Sequence, residues 1–207
     1  MWNAVARVIW LALLVLAAGC ASVDPVVKIG LVAPFEGRDR AIGYDAIYSA
    51  RLAVRQINAA GGISGHRVAL VALDDRGDVE LARQAAASLV IDPAVVAVVG
   101  HYVAATTNAA ESIYAQGGLP LLPMGTSPFS PVDPAGLPVE FQEAYAAVTP
   151  FDEIAGPFAG PTFDAFGLLR EALAVAEEST GDISRASVQE ALAGLKYQGL
   201  TGEVYQP

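Results

Sequence analysis

The stretch Val26–Asp75 constrains this chain more than any other. Val26–Val32 (VVKIGLV) is a short apolar run rich in β-branched residues, closed by Pro34. Over Ala41–Ala60 the apolar residues Ile47, Ala50, Leu52, Ala53, Val54 and Ile57 recur at helical spacing. Asn58-Ala59-Ala60-Gly61-Gly62 stops that helix, since glycine enters left-handed geometry at little cost. His66–Leu73 (HRVALVAL) is a second buried-type run, followed by Asp74-Asp75. Strand, helix, strand is a βαβ unit, which requires parallel strands and a right-handed crossover. Anything bound should lie off the carboxyl ends of those strands, near Pro34–Arg38 and Asp74–Asp78.

The same alternation continues. Asp78–Ile91 is predicted to be a helix with Asp78 as its N-cap, Val95–Val99 a strand ending at Gly100, Thr106–Gln116 a helix and Leu119–Leu122 a short strand. The series predicts an α/β fold: a three-layer αβα lobe around a mainly parallel sheet. The character changes at Gly125. Thr126–Pro138 carries four prolines in thirteen residues and excludes helix and central strand. Phe141–Val148 allows a turn or two of helix, and Pro150–Gly160 is again punctuated by proline and glycine. Pro161–Glu178 reads as a strong helix on Phe163, Phe166, Leu169, Leu173 and Ala176. Ser184–Leu195 is another, capped by Ser184 or Ser187, and Gly199–Tyr205 is a turn into a last strand.

Composition narrows the function. Of the 207 residues, 54% are hydrophobic and 16% charged, enough for a sizeable core and against general disorder. The net charge of −10 opposes a nucleic-acid partner, which needs a basic face. Cys20 is the only cysteine, so no internal disulfide and no cysteine-based metal cluster can form. The two histidines, His66 and His101, read as strand-edge or loop residues, and no metal or cofactor is expected.

Met1–Ala18 has the pattern of an export signal. Arg7 supplies the positive region and Val8–Ala18 an apolar run of eleven, shorter than the ~20 residues a membrane span needs. Leu16-Ala17-Ala18-Gly19-Cys20 resembles a bacterial lipobox, in which Cys20 would be lipidated, with the usual leucine displaced by one position. The alternative is a simply cleaved signal with Cys20 incidental.

Several further pieces, in order, resemble the substrate-binding proteins of branched-chain amino acid ABC transporters, which have the type I periplasmic binding fold. They are Ile29-Gly30-Leu31 with Pro34 and Gly37, Ile57-Asn58-Ala59-Ala60-Gly61-Gly62-Ile63-Ser64-Gly65, Asp74-Asp75, Val99-Gly100, Thr126-Ser127-Pro128, Phe163-Asp164-Ala165 and Gly199-Leu200-Thr201-Gly202. The resemblance implies two lobes, yet the second has no counterpart here. The expected division is therefore a signal over 1–19, a tether over 20–27 and the first part of a ligand-binding lobe over 28–128. A Pro/Gly-rich connection over 129–160 replaces the second lobe, and 161–207 returns to the first. A disrupted gene with a marginal fold is the alternative.

The resemblance also implies a site. An amino acid's carboxylate would sit at a helix amino terminus within Gly100–Thr107, where free N–H groups and the helix dipole favour an anion. Tyr102, Ala104, Thr106 and Thr107 are the candidates there, with Ala104 standing where many members have a serine. Gly125 and Thr126 correspond to a second contact loop, and Glu36 is placed to face an ammonium group. Plainer readings stand beside these. Thr106 and Thr107 suit a helix start, His101 and Tyr102 a loop or rim, Asp74-Asp75 a cap for the next helix or turn, and Asp164 a cap for its own helix.

Three functions are compatible with these residues. One is a solute-binding lipoprotein, or remnant, serving an amino acid or amide ABC importer through its permease, with ligand binding weakened by the single lobe. Another is a binding lobe without transport duty, with dimerisation over the exposed lobe face. The third, an enzyme, has no support in a G-x-G-x-x-G, G-x-S-x-G, P-loop or metal-ligand pattern.

Overall fold

A computed structural model describes residues 24–206. The signal and lipidation expectations at 1–19 and Cys20 lie outside these residues. Strands β1 (Val26–Ala33), β2 (Arg67–Asp74), β3 (Val95–Gly100) and β4 (Leu121–Leu122) form one parallel sheet in the order β2-β1-β3-β4. Helix α1 (Arg40–Ala59) joins β1 to β2, α2 (Val79–Ile91) joins β2 to β3, and α3 (Ala104–Gln116) joins β3 to β4. Strand β1 starts inside the stretch expected to be tether. Strand β4 is shorter than expected because Pro120 and Pro123 flank it and cannot donate to a ladder.

Side-chain alternation along β1 sorts the layers. Val27, Ile29, Leu31 and Ala33 face one side, where they pack on Ala46, Ala50, Ala53 and Ile57 of α1. Val32 faces the other, packing with Ala85, Ala86 and Leu89 of α2 and Ala110 and Tyr114 of α3. Gly30 shares that second side. A Cβ there would press on Leu89 and Val98, so the bare position lets α2 lie close to the sheet.

The C-terminal segment completes the first face. Helices α5 (Ala159–Thr180) and α6 (Arg185–Gly194) return to the α1 side, where Ala165, Phe166, Leu168, Leu169, Leu173, Val188 and Leu192 join the β1 core. Full burial of one such side chain contributes about 1.5–3 kcal/mol, so this face is a main source of stability. Ser184 and Ser187 form a reciprocal capping box at the start of α6. Just inside it, Arg185 donates to the carbonyls of Leu89, Val90, Asp92, Val95 and Gly117. One guanidinium thereby satisfies orphan carbonyls at the ends of both α2 and α3 and ties α6 to the opposite layer.

Between β4 and α5 the chain makes a 3-10 turn at Pro134–Gly136 and a short helix α4 (Val139–Ala146). Leu137, Phe141, Tyr145, Ala155 and Ala159 pack there on Leu52 of α1. The chain closes with an antiparallel hairpin, β5 (Tyr197–Gln198) and β6 (Val204–Tyr205), where a turn and a single strand were expected. Asp164 departs from its expected role as well. It lies inside α5, and its carboxylate accepts from Leu200 N, Thr201 N and the Thr201 hydroxyl. It tethers the hairpin turn rather than capping its own helix.

Candidate functional site

The carboxyl ends of the parallel strands bring four loops together. After β1, Phe35 N donates to the Asp74 carboxylate at 2.8 Å, and Arg76 N donates to the same oxygen at 2.9 Å. Arg76, in left-handed geometry with φ of 51°, also pairs with Glu36 at 2.7 Å. Glu36 was expected to face an ammonium group, and in the structure it faces the guanidinium of Arg76.

Asp75 turns inward, and so does His101 at the end of β3. Both side chains are fully buried, with His101 Nδ1 2.6 Å from Asp75 Oδ2 and Nε2 3.2 Å from the Tyr114 hydroxyl. The neutral tautomer satisfies all three groups, with Tyr114 O–H donating to Nε2 and Nδ1–H donating to the carboxylate. Asp75 serves the local turn as expected, one oxygen accepting from Gly77 N, while the other is committed to His101. His101 stands in the loop after β3, also as expected, but is fully buried rather than at a rim. Gly100 makes the inward turn possible, since its φ of 132° is a glycine conformation and a Cβ would strike the Val32 carbonyl.

Tyr102 is only 5% exposed, and its hydroxyl is 2.8 Å from Thr162 Oγ1 on α5. Its ring packs edge-on to Phe158 at 5.5 Å. Tyr102 thus joins β3 to the C-terminal helices instead of standing at a rim. Thr106 is buried and its hydroxyl donates to Val103 O at 2.8 Å. Thr107 is half-buried, donating to His101 O and Val103 O at 3.3 and 3.2 Å. Both hydroxyls therefore serve the helix start. Ala104 is exposed in the first turn of α3, whose N-cap residue Val103 makes no side-chain capping bond. Gly125 lies against Tyr102, its Cβ direction 3.3 Å from the Tyr102 carbonyl, and Thr126 beside it is exposed. The structure thus brings Gly125 beside the Tyr102–Thr107 turn and commits Glu36 to a different partner.

Asp45, on the side of α1 facing the 129–160 connection, had no assigned role. It is 8% exposed and accepts from Gly156 N and Phe158 N, each at 3.1 Å. A Cβ on Gly156 would overlap this carboxylate, so glycine is what lets the connection seat against it. Burial raises the carboxyl of Asp45 above its ordinary range, against the two N–H donors that pull it down. Asp164 is raised for the same leading reason. A carboxyl raised in the folded state binds protons more readily there than in the unfolded chain. Its stabilising contribution is full below the ordinary carboxylate pKa and is lost as pH rises through the raised value. Asp45→Asn should remove its share. The melting temperature of the natural chain, relative to that of the variant, should fall as pH rises from the ordinary carboxylate pKa through the raised value. A constant difference would show that the Asp45 carboxyl titrates alike in the folded and the unfolded chain.

A parallel sheet in this order, with four loops gathered at the carboxyl ends and helices on both faces, defines a lobe of the type I periplasmic binding fold. The chain belongs to the periplasmic binding protein family, whose model matches residues 26–139. That family comprises exported, periplasmic solute binders, not enzymes. An amino acid binding protein of Pseudomonas aeruginosa is 35% identical over 103 residues, covering 49% of this chain and 28% of that protein. The Leu/Ile/Val-binding protein homolog 1 of Brucella abortus is 32% identical over 119 residues, covering 57% and 31%. The chain thus spans about three tenths of the length of these curated relatives.

Among solved structures, a branched-chain amino acid transporter substrate-binding protein of Streptococcus pneumoniae, in complex with isoleucine, superposes with a TM-score of 0.71. The two are 16% identical, and the match covers 86% of this chain and 91% of that one. A leucine-binding protein of Thermotoga maritima gives 0.64 at 12% identity, covering 87% and 93%. At these identities the likeness concerns the fold.

Proposed function

We propose that this chain is the substrate-binding component of an ABC importer for branched-chain or related amino acids or amides. Its ligand's carboxylate docks at the amino terminus of α3. The observation that carries this reading is the exposed first turn of α3, which lacks a side-chain cap and lies beside Gly125 and Thr126 at the carboxyl ends of the strands. Thr106 N and Thr107 N are committed to Val103 O, so the N–H groups of Ala104 and Ala105, with the helix dipole, are the ones that favour an anion. The amino acid names of the relatives support the ligand class.

The segment 129–160 stands in place of a second lobe, with 161–207 returning to the first. A single lobe leaves its ligand half solvated, and a helix-terminus contact at an exposed site contributes only about 0.3–1 kcal/mol. Two or three such contacts fall well short of the ~8 kcal/mol that micromolar binding requires. Leucine should therefore bind the purified chain weakly, with NMR shifts centred on Ala104–Thr107 and Gly125–Thr126. Leucinamide, which lacks the carboxylate, should shift them less. Sub-micromolar leucine binding by calorimetry would refute the weak single-lobe site. Equal responses to the two ligands would refute the anion contact.

The targeting part of the reading is an export signal over 1–19 and a lipid on Cys20 that tethers the lobe at the cell envelope. Mass spectrometry of the membrane fraction distinguishes acylated Cys20 from a simply cleaved chain. A second reading, a non-transport interaction lobe that dimerises, draws on exposed apolar residues in the connection. Val139, Phe151 and Ile154 are 63%, 84% and 86% exposed. Sedimentation analysis would favour it by showing a dimer that Phe151→Ser dissociates.

A further inference from the structure

A cavity lies at the opposite end of the strands from the candidate site. The C-terminal half of α1 and the middle of α5 diverge there to leave about 310 Å³. Its apolar walls are Ala53, Ile57, Phe163 and Phe166, and its polar groups are Gln56, Arg170 and Tyr197. Small-ligand pockets have this make-up, apolar walls with a few convergent polar groups, at volumes from about 300 Å³.

The polar side of the cavity is built rather than incidental. Tyr197 is held by the β5–β6 hairpin, where it pairs with Tyr205. Its hydroxyl rests over Gly167 of α5, so closely that a Cβ at that position would collide with it. Glycine in a helix interior is less favourable than alanine, yet α5 carries it where the phenol must seat. Burial pushes the Tyr197 phenol up to about 12, so it remains a hydrogen-bond donor at neutral pH. Arg170 adds a cation on the same wall, and its ion pair with Glu171 uses one guanidinium nitrogen at 3.3 Å. A guanidinium and a phenol on one side of an apolar cleft suit a carboxylate attached to a flat or branched hydrocarbon.

We propose that this cleft is a second small-molecule site, which takes a carboxylate with a short aromatic or branched apolar body. The body lies between Ile57 and Phe163, and the carboxylate meets Arg170 and the Tyr197 hydroxyl. The site is independent of the amino-acid reading, because it shares no residue with Ala104–Thr107 or Gly125–Thr126.

The test titrates the full chain with phenylacetate and, separately, with its neutral isostere phenylacetamide, followed residue by residue by NMR. Phenylacetate should bind saturably with shifts centred on Ile57, Phe163 and Tyr197, about fivefold tighter than phenylacetamide. Arg170→Gln, at an exposed position, should weaken phenylacetate about fivefold and leave phenylacetamide unchanged. Tyr197→Phe, which keeps the ring, should act in the same direction. Three results would each overturn the proposal: equal affinity for the two probes, no saturation by about 10 mM, or shifts centred on Ala104–Thr107 instead. Leucine shifts at α3 are read in a separate titration, so either site can fail without the other.

Discussion

Phe166→Ala is expected to destabilise the whole lobe by about 3–5 kcal/mol, read as a drop in the urea midpoint with little change in slope. Phe166 is fully buried, and its cluster contains residues from both ends of the chain: Ile29 and Leu31 of β1, Ala50 and Ala53 of α1, Leu169 and Leu173 of α5. Truncating it leaves a cavity between helices that cannot close up freely, because Tyr102 and Thr162 already pin α5 to β3. Against a typical total of about 5–15 kcal/mol the loss is large. It is also shared. Amide exchange should accelerate together in β1, β3, α5 and α6, because one core supports all four. If α5 and α6 lost protection while β1 and β3 kept theirs, the C-terminal helices would be a separate unit. The placement of 161–207 on the first lobe would then fail.

Those apolar partners were visible in the sequence because they are patterned. The short apolar run Val26–Val32 marks a strand that seeks cover, and three- or four-residue spacing in Phe163–Ala176 reports which side of that helix does. The parallel order is then set by chain connectivity and the handedness of crossovers. The polar tethers were not visible. Asp45 meets Gly156 and Phe158 more than a hundred residues away, and Asp164 meets Leu200 and Thr201 across the length of α6. A single aspartate has no period. In local sequence, Asp164 near a helix start looks like a cap. It became a tether only because the hairpin turn is folded back onto it.

The candidate site shows the same division between local and distant information. The family resemblance placed the site in the turn after β3, while the helix there starts at Ala104, two residues earlier than the sequence pattern suggested, with an exposed first turn and no side-chain cap. What the neighbouring side chains do there was not local. Tyr102 has the polar tip of a rim residue, yet α5 covers it and Thr162 takes its hydroxyl. Glu36 carries a charge toward the ligand end, yet the left-handed turn at Arg76 brings a guanidinium to it first. Adjacent loops on a parallel sheet compete for each other's charges before any ligand arrives, and sequence spacing does not reveal the outcome.

His101→Leu is the other substitution expected to cost about 3–5 kcal/mol, for a reason opposite to that of Phe166→Ala. Leucine fills much of the space but removes both ring nitrogens. Asp75 keeps its backbone partner, Gly77 N at 3.0 Å, on one oxygen and loses the imidazole from the other. The Tyr114 hydroxyl loses its acceptor in a fully buried setting. A buried carboxylate with one of its two oxygens left unpaired dominates that cost. The combined variant His101→Leu with Asp75→Asn separates the contributions. Asparagine still accepts from Gly77 N and carries no charge, so the pair should be more stable than His101→Leu alone by at least about 1 kcal/mol. In the natural histidine background, Asp75→Asn should itself destabilise the fold, since it weakens the bond to Nδ1. That reversal of sign between backgrounds, read from urea unfolding of the four proteins, is the signature of a coupled buried pair. Simple additivity would show that Asp75 and His101 contribute independently and that the apolar packing around them carries the end of β3.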